Sequence, residues 1–182
     1  MHVKGNAWLA RGEAMEKSFG AERWQAFVKK LSPKVKFLSA PVMPISRIPV
    51  EEFLLLHDEL VKEFYGGDKQ AYWRFGETSA EWALAHQLRG LFAQNEGRRF
   101  LQFSPQIYKG YFDGGELVTE ATPTHVDLVI RGVEPRHVYF EYSIIGFASG
   151  GLRVLGLPTE VQCISGFSKG DAEVRYRFPV TK

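Results

Sequence analysis

Cysteine is nearly missing from this chain: Cys163 is the only one in 182 residues. One thiol cannot close an internal disulfide or alone hold a structural zinc, so the expectation is a reducing compartment. Charge of one sign is also lacking. The net charge is +2, and the basic residues come in scattered pairs such as Lys29-Lys30 and Arg98-Arg99, with no continuous tract. Such a chain builds no large positive field, and nucleic acid is not an expected partner. No apolar run approaches the length of about 18 residues that a spanning helix needs. The stretch from Met1 to Lys17 carries neither a long apolar run nor a small-residue cleavage site, so the expected location is cytoplasmic, without membrane insertion. Internal repeats and low-complexity runs are absent too.

What is present is a globular composition, 45% hydrophobic and 14% aromatic, with Phe commoner than Tyr or Trp. This size suits a single domain over 1–182, with N-terminal helices and a connector in 1–49 and a helical and sheet core in 50–182. Apolar spacing predicts helices over Asn6 to Phe19, ended by Gly20, and over Ala21 to Leu31, closed by Ser32-Pro33. Four prolines between Pro33 and Pro49 forbid a continuous helix and predict an extended connector. Val50 to Tyr65 is predicted helical, with Glu51 and Glu52 favouring its N-terminal dipole and Gly66-Gly67 stopping it. Asp68 is placed to cap a helix through Tyr72 to Phe92, ending near Gln94. Another helix is expected from Arg98 to Phe112, broken near Ser104-Pro105. The period then changes. Glu116 to Ala121 and Thr124 to Gly132 read as strands, about Arg136 to Gly150 or beyond as a helix, and Glu160 to Ile164 with Glu173 to Phe178 as a hairpin. The fold class expected is α+β: a helical N-terminal half packed with a small antiparallel sheet from the C-terminal half.

The Tyr72 to Phe92 helix carries the best functional clue. One stripe is small (Gly76, Ser79, Ala80, Ala83), and its neighbour carries Phe75 and Trp82 and ends at His86. Small residues admit another backbone, and aromatics with polar tips line apolar pockets. A buried core helix with a satisfied histidine explains the same pattern. Tyr108, Tyr111 and Phe112 lie close together on the following helix, so the candidate ligand-binding set is Phe75, Trp82, His86, Tyr108, Tyr111 and Phe112. No catalytic set accompanies it. Gly166-Phe167-Ser168-Lys169-Gly170 matches the G-x-S-x-G spacing of serine hydrolases, but its flanks are strands and no histidine follows, so a hairpin loop accounts for it. His125 and Asp127 share a strand face, but two ligands make a poor metal site and an exposed face is expected. Glu51, Glu52, Glu81 and Glu141 read as charged helix surface. Neither a dinucleotide fingerprint nor a phosphate-binding loop occurs.

Four segments taken together resemble a family of proteins of unknown function known chiefly from myxobacteria: KGNAWLARGEAMEKSFG, FGETSAEWALAHQLRGLF led in by Gly67-Asp68, FLQFSPQIYKGYFDGG, and Cys163 followed by KGDAEVRYRF. That family is similar to the 4-vinyl reductase domain, which shares its fold with TRAPP vesicle-tethering subunits and, more distantly, with haem nitric-oxide-binding sensors. The resemblance implies a helical layer against a small antiparallel sheet, a pocket for small aromatic or apolar ligands, and dimerisation through N-terminal elements. It sets Trp82, His86 and Tyr108 in the helix region that meets ligand in related phenol sensors. Those sensors hold zinc with cysteines, but Val174 stands here where a second cysteine is expected, so neither a metal nor any other cofactor is assigned, and no haem-binding histidine can be placed.

The leading expectation is therefore a non-enzymatic small-molecule-binding or signalling module with an apolar or aromatic pocket. It would signal through a homodimer or a protein partner. The alternatives are an interaction scaffold without a small ligand, and an enzyme using His86 or His125 as base.

Overall fold

The computed structural model describes residues 1–180. These are α+β, with helices and two antiparallel sheets in two compact units: residues 1–71 with 111–113, and residues 72–110 with 114–180.

In the first unit, β1 (His2–Lys4) pairs antiparallel with β2 (Arg47–Pro49), and three helices follow the predicted bounds: α1 (Gly5–Phe19), α2 (Ala21–Leu31) and α3 (Val50–Tyr65). Both strands were unforeseen, since three residues are too short to show a period. The connector has no α-helix, and carries one 3₁₀ turn at Lys36–Ser39 and a hydrogen-bonded turn at Pro44–Ile45. The core is aromatic. Trp8 lies 5.2 Å from Trp24, Trp24 stacks on Phe27 at 5.5 Å, and Phe27 meets Phe64 edge-on at 5.2 Å. The edge-on and tilted contacts suit the ring quadrupoles. Asp113 ties the N-terminus down by accepting from the His2 backbone N–H and the Arg47 guanidinium, each at 2.5 Å. The His2 N–H first, and then Arg47, holds this carboxyl below the usual range.

The second unit holds most of α4 (Gln70–Ala85), most of α5 (Gly97–Tyr111), and α6 (Val138–Val154). Its sheet has the order β3-β4-β6-β5, formed by Glu116–Ala121, His125–Arg131, Val174–Pro179 and Gln162–Ser165. Two helix expectations need correction. α4 stops at Ala85 and does not run to Gln94. The His86 imidazole lies 2.8 Å from the Trp82 carbonyl, the Leu88 N–H turns back to the Ala83 carbonyl, and Gly90 takes a φ of 74°. Together these close the helix. α5 runs unbroken through Pro105. The proline forfeits one hydrogen bond, to Leu101, while buried Phe100, Leu101, Ser104 and Tyr108 keep one face packed.

The small stripe of α4 meets α6 at backbone distance. A Cβ built on Gly76 would fall on the Ser143 carbonyl, one on Gly146 on the Trp73 carbonyl, and one on Gly150 at 2.7 Å from the Glu77 Cα. Arg153 clamps the same pair from outside, donating to Glu77 at 3.0 Å and Glu81 at 2.9 Å.

On the sheet, Asp127 is 3% exposed, against the expectation of an exposed strand face. Cross-strand register sets it opposite Arg177, which grips it with two hydrogen bonds at 2.8 and 2.9 Å, and Arg175 adds a third at 3.3 Å. The Arg177 hydrogen bonds, with those of Arg175, hold the carboxyl below its ordinary value of 3.8. Such an ionised group stabilises the fold above its unfolded pKa and loses that contribution as pH falls through the lower, folded value.

Two outcomes follow. Gly146→Ala forces the two helices apart and costs at least about 1–3 kcal/mol in urea denaturation. Asp127→Asn costs about 1–2 kcal/mol at neutral pH, and its deficit against the wild type narrows as the pH falls below 3.8.

Candidate functional site

The six residues of the predicted pocket are divided between the units: Phe75, Trp82, His86 and Tyr108 in the second, Tyr111 and Phe112 in the first. Phe75 is 2% exposed and meets Tyr72 edge-on at 6.0 Å. Trp82 and His86 stack on one another at 4.8 Å where α4 ends, and His86 is exposed. Tyr108 is buried and donates to the Gly114 carbonyl at 2.7 Å, so its hydroxyl is committed to the turn after α5. Burial pushes this phenol well above its usual pKa. Tyr111 lies 6.4 Å from Phe112, whose backbone bridges to Val3.

One residue assigned to helix surface is instead the most enclosed acid in the unit. Glu141 on α6 is fully buried. Its carboxylate accepts from the Ser168 N–H at 2.7 Å, the Ser168 hydroxyl at 2.8 Å and the Tyr176 hydroxyl at 2.7 Å. Burial, above all, pushes the Tyr176 phenol far up. Gly166 has to lack a side chain because a Cβ there would fall on the Glu141 carboxylate, and Gly170 takes a left-handed φ of 83°. The G-x-S-x-G spacing thus builds a 3₁₀ turn over a buried carboxylate, with the serine as its donor. Helical periodicity could have flagged Glu141, which lies four residues before buried Ile145 on one helix face.

A groove of about 260 Å³ opens elsewhere in the second unit, where the start of α5 meets the end of α6 and the end of β6. Leu152, Leu157, Pro158, Pro179 and Val180 give it apolar walls, and Asn95, Arg98 and Glu160 give it polar tips. Its residues are spread from position 95 to position 180, so no local pattern could announce it. None of the predicted pocket residues lines it. Among the described residues, no group of three or more His, Cys, Asp or Glu is placed to hold a metal ion.

No protein-family model matches the sequence, and no curated protein matches it. Solved structures do match in fold. A variant H-NOX protein from S. oneidensis, in the Fe(II) ligation state, superposes with a TM-score of 0.77 at 11% identity, over 98% of this chain and 96% of that one. An Fe(II) unliganded H-NOX protein variant from K. algicida gives 0.72 at 14%, over 98% and 97%. An Fe(II)CO H-NOX domain from Shewanella oneidensis, determined by NMR, gives 0.74 at 9%, over 98% and 99%. The chain therefore has the fold of the H-NOX proteins, and at these identities the likeness extends to fold alone.

The described histidines and the groove do not fit a haem. Axial ligation asks for a His, Cys, Met or Tyr beside a slot for a flat macrocycle. The groove is lined by none of these. His86 lies flat on Trp82, His125 is held by Thr122 at 3.0 Å, and His137 caps α6 by accepting from the Tyr139 N–H at 3.1 Å. His2 meets Asp113 at 3.1 Å, and His57 is fully buried with its ring centroid 4.0 Å from that of Phe53. Within the second unit, the backbone contact of α4 with α6 leaves no such slot between those helices. Haem added to the purified chain is expected to give no stoichiometric Soret band of a histidine-ligated complex, and a saturable band at one equivalent would overturn this reading.

Proposed function

We propose that this chain is a non-enzymatic small-molecule-binding signalling module whose ligand is a small apolar or aromatic compound with one hydrogen-bonding end. The observation that carries the reading is the groove, where five apolar residues form the walls and Asn95, Arg98 and Glu160 supply polar tips. That composition is what fixes the orientation of a small ligand, and the volume limits it to a compact one. The H-NOX proteins it resembles in fold are aligned over nearly the whole length of their solved chains. Occupancy is read through a homodimer or a protein partner, and exposed His86, stacked on half-buried Trp82, is the surface offered to it.

The closed packing of α4 on α6 favours a second reading, an adaptor that binds protein and no small ligand. A thermal-shift screen with phenols and short apolar acids separates the two. A ligand at a hundredfold excess over its Kd stabilises the native state by about 2.7 kcal/mol and raises Tm by about 5–10 °C. Pro158→Glu places a charge on the exposed rim of the groove and is expected to abolish the shift while leaving the unliganded Tm in place. The absence of any shift across the screen removes the ligand-binding reading in favour of the adaptor.

A further inference from the structure

From Arg23 to Val50 the chain carries six basic residues, Arg23, Lys29, Lys30, Lys34, Lys36 and Arg47, and no acidic one; of these, Lys30 is paired with Glu63 and Arg47 with Asp113, and the proposal rests on Lys34 and Lys36. The same stretch displays the two most exposed large apolar side chains among the described residues, Ile45 at 86% and Met43 at 60%. These are held in place by the backbone around them. The first N–H groups of α1 have no partner within their own helix, and here Gly5 donates to the Ser46 carbonyl at 2.8 Å and Asn6 to the Pro44 carbonyl at 3.1 Å. Ser46 N–H returns to the Met43 carbonyl at 2.9 Å, and the Ser46 hydroxyl accepts from Met43 N–H at 2.9 Å. A Cβ on Gly5 would strike the Met43 carbonyl, so the turn lies directly on the start of the helix.

The basic end of the connector is pinned nearby. Phe37 packs edge-on against Trp8, one turn into α1, at 5.6 Å, and its N–H donates to Glu52 at 2.9 Å. Exposed Lys34 and Lys36 flank that anchor, and exposed Leu9 follows Trp8. Two apolar tips on a rigid turn, beside lysines, match a surface that is soft, apolar beneath and negatively charged.

We propose that the Pro41–Ser46 turn, with Lys34 and Lys36, is a docking site for an anionic lipid surface, with Met43 and Ile45 entering the headgroup layer and the lysines meeting its charge. No helix among the described residues is long and apolar enough to cross a membrane. The site lies wholly in the first unit and is independent of the groove.

Sedimentation of the full chain with phosphatidylcholine vesicles, with and without phosphatidylserine, tests it. Binding is expected only to the phosphatidylserine vesicles and falls as salt is raised. Lys34→Ala with Lys36→Ala lowers the partition coefficient at least about tenfold, each cation contributing about fivefold near such a surface. Met43→Ser with Ile45→Ser lowers it by a similar factor, with Tm unchanged because both side chains are exposed. Absence of binding to phosphatidylserine vesicles overturns the proposal. Binding that the serine pair leaves intact overturns it as well, by reducing the contact to charge alone.

Discussion

The close approach of α4 and α6 is the constraint on which the second unit depends. Gly76 and Gly146 each face a carbonyl of the other helix, and Gly150 faces the Glu77 Cα. Helices usually pack with axes about 8–10 Å apart, a distance set by the side chains between them, and removing those side chains brings the backbones together. The apolar area that would otherwise line a cavity is then buried between two backbones, and Arg153 reinforces the contact by gripping Glu77 and Glu81 on the same side. The small stripe, whose residue sizes predict a close backbone approach, makes that approach to α6 and leaves no gap between these helices.

Glu141 extends the same logic from helix to sheet. A buried carboxylate is costly unless its oxygens are fully hydrogen-bonded, and three donors from Ser168 and Tyr176 meet that demand. It thereby joins α6 to β6 and to the turn before it. The hydrolase-like spacing of that turn needs no chemistry: one glycine makes room for the carboxylate, and the other adopts a backbone angle that side chains resist. Asp127 solves the same problem on the sheet with arginines.

Much of the fold was legible in the chain because its signals are local. The limits of α2 and α3 coincide with Ser32-Pro33 and Gly66-Gly67, and the strand Glu116–Ala121 is where β-branched alternation placed it. The errors occur where a side chain competes with the backbone or with packing. His86 takes up the Trp82 carbonyl and helps end α4, and the packed face of α5 carries it through Pro105. The candidate site was less legible. The groove draws Asn95, Leu157 and Pro179 from three distant segments, and no periodicity links them.

By itself the sequence determined the α+β class, the helices, the main strands and the absence of a disulfide framework, because each follows from hydrophobic period, capping or composition within a few residues. Tertiary structure alone decided which backbone the small stripe of α4 meets, whether Glu141 and Asp127 met water or donors, and where an open groove lay. The physical reason is that burial, charge compensation and cavity shape are properties of groups brought together from distant parts of the chain. The helix that reads as a pocket wall in sequence is, once folded, one half of a glycine-lined helix pair.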